Sequence, residues 1–393
     1  MSLTEQKTDQ AIEILNELGI DLWLTYVRKT SEIHDPALYF LLEESWLTWQ
    51  SAIIITKSGR KIAICGRYDV PNIELMGVYD TIIGYDESIK EDLLKILDEV
   101  KPETIAINYA EDNVAADGLT HGLWLRLTKM LDGTQYREKL ISSDNLLAAL
   151  RGRKVQMETD RILKAIEISE RGHAHLANSV KLGMTEQDLE KILLDFAKDN
   201  NVTLSYPPLI NIGAETTIGH GKGSAEIILK RGDLINIDYG VFYEGYASDI
   251  QRLHYVLKEG EESPPEIVQS AFNTVMEAIS AGADKLKPGV KGWEVDIVAR
   301  EVIIDAGYIE FKHALGHQIG RNVHDGGCLL GPRWEKYGQS PFKTVEEGQI
   351  FTLELHVFVE NYGFCSVEED VIVTKEGCKF LSDRQTELNL IKL

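Results

Sequence analysis

The sequence predicts two units of different architecture, an α/β domain over residues 1–150 and an α+β domain over residues 151–393. Two observations carry this reading. Up to about residue 140, short strand-like apolar runs alternate with helical patterns, as in a small mixed sheet flanked by helices. Beyond residue 156, two long helical patterns follow one another directly, and strand patterns that double back come after them. In the first unit, Ala11, Ile12, Ile14, Leu15 and Leu18 share one helical face, and Gly19 stops that helix. DLWLTYV (21–27) is a strand, SAIIITKSGRKIAICG (51–66) a hairpin around Lys57-Ser58-Gly59, and TIIGY (81–85) a further strand. IKEDLLKILDEV (89–100) reads as a helix and TIAINYA (104–110) as a strand.

In the second unit the helices span roughly 157–181 and 185–200, the latter opened by a Thr185/Asp188 cap. The alternating stretch 233–256 reverses at Glu244-Gly245. Helices at about 264–284 and 292–306 precede two strands, QIFTLELHVFV and EEDVIVT. The expected arrangement is an antiparallel sheet with helices on one side.

Charge and cysteine usage narrow the function classes. The 393 residues carry 41 basic and 63 acidic side chains, a formal net charge of −22. Nucleic acid and anionic membranes are excluded as main partners, because the long-range field repels phosphate. Cys65, Cys328, Cys365 and Cys378 are far apart, so neither a disulfide framework nor a thiolate zinc site is expected. The first fifteen residues lack an apolar signal core, and no run of 18 apolar residues occurs. A cytoplasmic location is the expectation.

Three clusters carry chemistry. Asp238 and Asp249 flank the predicted turn almost symmetrically, so they can converge on neighbouring strands. Two close carboxylates repel, and such a pair is usually held by a cation or shares a proton. His313, His317 and His324 are three of only ten histidines, gathered in twelve residues. Glu354 and Glu369 lie inside apolar strand patterns, where an unpaired carboxylate costs several kcal/mol. Glu368 and Asp370 compete with Glu369. If Val371 and Val373 face inward, alternation places Glu369 with them. Four carboxylates and one imidazole suit Mn, Fe, Co or Zn, and two divalent ions would neutralise four negative charges.

The ordered succession Asp238, Asp249, His317, Glu354, Glu369 resembles the pita-bread metallopeptidases, a family that includes aminopeptidase P, prolidase, methionine aminopeptidase and creatinase. Asp249-Ile-Gln-Arg252, GHQIGRNVHD (316–325), TLE (352–354) and EEDVIVT (368–374) carry the resemblance, and it covers residues 150–393. The resemblance implies an α/β N-terminal domain, a pita-bread catalytic domain, a homodimer and two divalent metal ions, manganese first, with cobalt or zinc as alternatives. It implies metal ligation by Asp238, Asp249, His317, Glu354 and Glu369, with Asp249 and Glu369 bridging. Glu354 would serve as general base, His220 would sit near the leaving amine, and His324 would steady the oxyanion. His313 would line the substrate pocket.

Two departures bear on substrate choice. Where many prolidases have Glu-Pro, this chain has Glu354-Leu355; where aminopeptidase P and prolidase have Arg-Ile-Glu, it reads Val367-Glu368-Glu369. The expected function is an Xaa-Pro dipeptidase or aminopeptidase acting on short peptides. A creatinase-like hydrolase of a small amide and a catalytically silent peptide-binding module are the alternatives. His173, His175, His254 and His356 read as structural, and Trp46, Trp49 and Trp124 as core or dimer contacts.

Overall fold

The computed structural model describes residues 1–43, 45–215 and 223–393. The chain divides into two compact units, Met1–Arg151 and Gly152–Leu393. The first holds strands β1 (Leu22–Val27), β2 (Ser51–Thr56), β3 (Lys61–Gly66), β4 (Thr81–Tyr85), β5 (Ile105–Ile107) and β6 (Leu140–Ser142), in the order β4-β3-β2-β1-β5-β6. Only the β1–β2 and β2–β3 pairs are antiparallel. Its helices are α1 (Leu3–Leu18), α2 (Leu38–Leu41), α3 (Val70–Met76), α4 (Lys90–Val100), α5 (His121–Leu131) and α6 (Asp144–Gly152).

Strand periodicity of two sorts the apolar side chains onto two faces. Leu22, Leu24, Ile54 and Ile62 pack with α4 and α5, whereas Trp23, Ile53, Ile55 and Ala63 pack with α1, α2, α3 and α6. Both faces are therefore covered, which explains why every residue of these central strands is buried.

The second unit opens with α7 (Gln156–Ser179) and α8 (Glu186–Asp199). The Thr185/Asp188 box caps α8: the Asp188 N–H donates to the Thr185 hydroxyl, and the Thr185 N–H donates to the Asp188 carboxylate. Strands β7 (Thr203–Leu204), β8 (Leu209–Ile212), β9 (Leu234–Tyr239), β10 (Val241–Tyr243), β11 (Tyr246–Ala247) and β12 (Ile250–Val256) follow. Next come α9 (Glu266–Lys285), α10 (Gly292–Asp305), β13 (Ile350–Val359), β14 (Gly363–Val373), β15 (Cys378–Phe380) and β16 (Asn389–Ile391). The main sheet runs β13-β14-β12-β9-β8, antiparallel throughout, with β15 added to β14 and β16 added in parallel to β12.

The reversal at Glu244-Gly245 is the tight turn expected: both residues have positive φ, 45° and 76°, and Tyr243 pairs with Tyr246. Ile235, Ile237 and Tyr239 pack on α7 and α8; Leu353, Leu355, Val367 and Val371 pack on α9 and α10. Directly paired residues of an antiparallel sheet share a face. By register, those apolar residues belong to one face of the sheet, and Asp238, Gln251, Glu354 and Glu368 lie on the opposite face.

No helix among the described residues is long and apolar enough to cross a membrane. All four cysteines are free. Trp46 and Trp49 are exposed, which removes the core reading for them.

Candidate active site

Strand register builds the site. Asp238 on β9 pairs with Gln251 on β12, Gln251 with Glu368 on β14, and Glu368 with Glu354 on β13. Four side chains thus form one row across four strands, on the face away from the helices. Asp249 lies two residues before Gln251 and so shares that face. It is tied in by the Tyr206 hydroxyl, which lies between Asp238 Oδ1 and Asp249 Oδ1.

His317 reaches the row from an extra edge segment beside β13. The Thr352 N–H donates to the His317 carbonyl, the Glu354 N–H to that of Leu315, and the Ile319 N–H to that of Ile350. A glycine at 316 is required there, since a Cβ would lie 1.9 Å from the Thr352 carbonyl oxygen. The His317 Nε2 then stands 3.6 Å from Asp249 Oδ2 and 3.7 Å from Glu354 Oε1. Asp249, His317 and Glu368 each offer a ligand atom, and these three atoms lie within 4.8 Å of one another.

Crowding acids in a dry site is costly unless a cation compensates. Burial and then the charge of Asp249 hold Asp238 and Glu354 well above the ordinary carboxylate range. Glu368 is raised for the same two reasons, and burial pushes Asp249 up to about 6. His317 is pushed down to about 3, by burial first and then by His324, so it is a neutral nitrogen donor at pH 7. Both carboxylate oxygens of Glu368 are buried, and neither accepts a hydrogen bond from any described group. A set of hard oxygen donors plus one neutral imidazole, with its central carboxylate lacking a donor, fits divalent cations.

Raised acids also fix how the metal-free protein responds to pH. For Asp249, displaced from 3.8 to about 6, the native state binds more protons than the unfolded one, so stability falls as pH rises through that window. The buried histidines His317 and His254, lowered to about 3 and 4, act oppositely, but only below 6.5. Asp238, Glu354 and Glu368, held well above the carboxylate range, carry the loss on above pH 6.5, where the histidines no longer oppose it. Chelated protein is therefore expected to lose melting temperature as pH rises from 6.5 to 8, and excess Mn(II) to reverse that slope. A melting series with and without chelator checks this; a chelated protein that gains stability toward pH 8 contradicts it.

The structure brings together Asp238, Asp249, His317 and Glu354, but it turns Glu369 away. Glu369 shares the helix-packed face with Val367 and Val371, where its carboxylate is fully partnered. Arg252 Nη2 donates at 3.2 Å, the Ser382 hydroxyl at 2.5 Å and the Gln385 N–H at 2.8 Å. The structure thus places Glu368, and not the Glu369 expected from the sequence, on the face that carries Asp238 and Glu354. Alternation held, but both faces of β14 are buried, so the valines mark the helix side and not the site. Were Glu368 the ligand, the tripeptide to compare with Arg-Ile-Glu would be Ser366-Val367-Glu368, with Ser366 at the place of the arginine.

His324 packs edge-on against His317, with ring centroids 4.3 Å apart. His313 contacts His356 through Nε2 and Nδ1 at 3.1 Å. That brings His356, read as structural, onto the same face as Glu354. His220 lies outside the described residues.

Sequence reasoning missed Tyr206 and Gln251. Tyr206, in Ser-Tyr-Pro-Pro, has no local signature; only its approach to two distant aspartates marks it. Replacing Tyr206 by Phe is expected to weaken Mn(II) binding about tenfold, since such supporting hydrogen bonds orient ligands. Calorimetric titration would show it, and unchanged affinity would count against the role.

Residues 160–375 match metallopeptidase family M24. The chain belongs to that family. It is similar to the Xaa-Pro dipeptidases of Pyrococcus horikoshii and Pyrococcus furiosus, 30% identical to each over 247 residues. Those alignments cover 62% of this chain and 66% and 67% of the two archaeal proteins, about two thirds of their length. The structure is also similar to the crystal structure of X-Pro aminopeptidase from Thermotoga maritima. There the TM-score is 0.72 at 25% identity, covering 98% of this chain and 99% of that one. The second unit has the pita-bread fold of these M24 structures, with an α/β unit before it. M24 enzymes are metal-dependent, and among the described residues Asp249, His317 and Glu368 form a group that could hold a metal ion.

Proposed function

We propose that this M24 metallopeptidase is a dinuclear enzyme cleaving short Xaa-Pro peptides. The observation that carries the reading is the register row of Asp238, Glu368 and Glu354, joined by Asp249 and His317. Asp238, Asp249, His317, Glu354 and Glu368 would hold two divalent ions, manganese first. Such ions, when bound, lower the pKa of water toward neutrality and polarise the scissile carbonyl. Glu354, whose Oε1 faces His317, accepts the proton that the attacking water loses. His324 donates toward the oxygen that gains charge as the carbonyl is attacked. His220 serves the leaving amine. The neutral pair His313 and His356 lines the approach to Glu354.

Proline specificity is supported by the names of the relatives rather than by a contact in this chain. Ser366, in place of a guanidinium, alters the floor beside Glu368 and bears directly on substrate choice. A homodimer in a reducing, cytoplasmic setting belongs to the same reading, which the four free cysteines support.

A panel of Xaa-Pro dipeptides, Xaa-Pro-Xaa tripeptides, non-proline peptides and creatine, assayed with Mn(II) and after chelation, tests the proposal. Metal-dependent release from the proline peptides is expected, and the dipeptide-to-tripeptide ratio sorts dipeptidase from aminopeptidase. Hydrolysis of creatine alone, or activity that survives chelation, would contradict it.

A further inference from the structure

The row of ligand candidates contains one side chain that is not an acid. Gln251 lies between Asp238 and Glu368, directly paired with both, and is buried. An amide placed among carboxylates can be oriented in only one sense if it is to help. Its N–H must face a carboxylate, because its oxygen against a carboxylate sets acceptor against acceptor. In the structure, Gln251 Nε2 donates to Glu354 Oε2 at 3.4 Å.

At its other end the amide meets Ser366. The Ser366 hydroxyl donates to Gln251 Oε1 at 2.5 Å, and its other neighbour, the Leu355 carbonyl at 3.2 Å, is also an acceptor. With Nε2 turned to Glu354, Gln251 leaves Oε1 to the hydroxyl, whose one proton goes to it at the shorter of the two distances. Ser366 is itself fixed, since its carbonyl accepts from Asn236 Nδ2 at 3.0 Å. The chain of contacts runs Ser366 to Gln251 to Glu354, all buried or half-buried on the site face.

We infer that Gln251 is a positioning residue for Glu354, with its amide oriented by the carboxylate it faces and braced from behind by the Ser366 hydroxyl. The inference rests on the metal-site reading above. Tethering Oε2 leaves Oε1 turned to His317, so the carboxylate enters the site with its oxygens already assigned. A neutral amide suits this place. A cationic side chain would compete with divalent ions for Glu354, and another carboxylate would add to the repulsion.

The test uses the full-length protein and three variants, Gln251→Met, Ser366→Ala and the double. Mn(II) affinity is read by titration calorimetry, and kcat and KM on an Xaa-Pro peptide. Gln251→Met is expected to weaken the Mn(II) affinity about tenfold and to lower kcat by a similar factor, the scale typical of lost ligand support, with KM nearly unchanged. Ser366→Ala should do the same more weakly, and the double variant should be no worse than Gln251→Met, because both changes break one chain. Wild-type affinity and kcat in Gln251→Met overturn the inference, as do losses that add in the double variant. A wild-type protein that binds no Mn(II) overturns the metal-site reading itself, and with it this inference.

Discussion

Replacing Glu368 by Gln is expected to lower turnover roughly a thousandfold, about 4 kcal/mol of transition-state stabilisation, while Glu369→Gln stays within about tenfold of wild type. The two residues are neighbours in sequence and chemically identical, so composition and local charge cannot distinguish them. Register does. Glu368 pairs with Glu354 and Gln251, whereas Glu369 pairs with Leu353 on the opposite face. Glu368 offers buried oxygens that no described donor satisfies, and Glu369 already has three donors. Steady-state kinetics on both isosteric variants, with folding checked by circular dichroism, decide the matter. Loss of activity in Glu369→Gln with Glu368→Gln spared would reverse the assignment.

The second large effect concerns stability. Arg252 Nη2 bonds Glu369 and the Asp383 carbonyl, while Nη1 bonds the carbonyls of Gln251 and Glu368. The ion pair is buried, with side-chain exposures of 8% and 0%. Removing one member of such a pair strands the other charge, so Arg252→Met is expected to cost about 3–5 kcal/mol. Replacing both, as Arg252→Met with Glu369→Met, should recover most of that loss, because no unpaired charge is left. Urea unfolding of the two variants measures the difference. Equal destabilisation in single and double variants would mean that Arg252 acts through the backbone carbonyls it ties, and not through Glu369.

Much of the fold was legible before the structure. The Thr185/Asp188 cap, the Glu244-Gly245 reversal and the long helices of the second unit are local signals, and each appears where its residues place it. Asp238 and Asp249 were readable as a converging pair because a tight turn between two strands fixes their pairing within a short stretch of chain. Glu368 was not, because its strand is buried on both faces and alternation alone cannot say which face holds the site. Tyr206 and Gln251 lay beyond reach for another reason. Their partners are dozens to more than a hundred residues away in the chain, and only the folded sheet, with the connection from β7 to β8 that carries Tyr206, brings them together. His356 was assigned a structural part although strand alternation puts it on the face of Glu354 two residues earlier; nothing local shows that it meets His313 there.

The central claim is that five side chains, with Glu368 among them, make a site for two divalent ions. Titrating chelator-treated full-length protein with Mn(II) by calorimetry, in parallel with Glu368→Gln and Glu369→Gln, tests it most directly. The account predicts two ions per chain for wild type and for Glu369→Gln, and at most one for Glu368→Gln. No binding to the wild type, or two ions retained by Glu368→Gln, would contradict it.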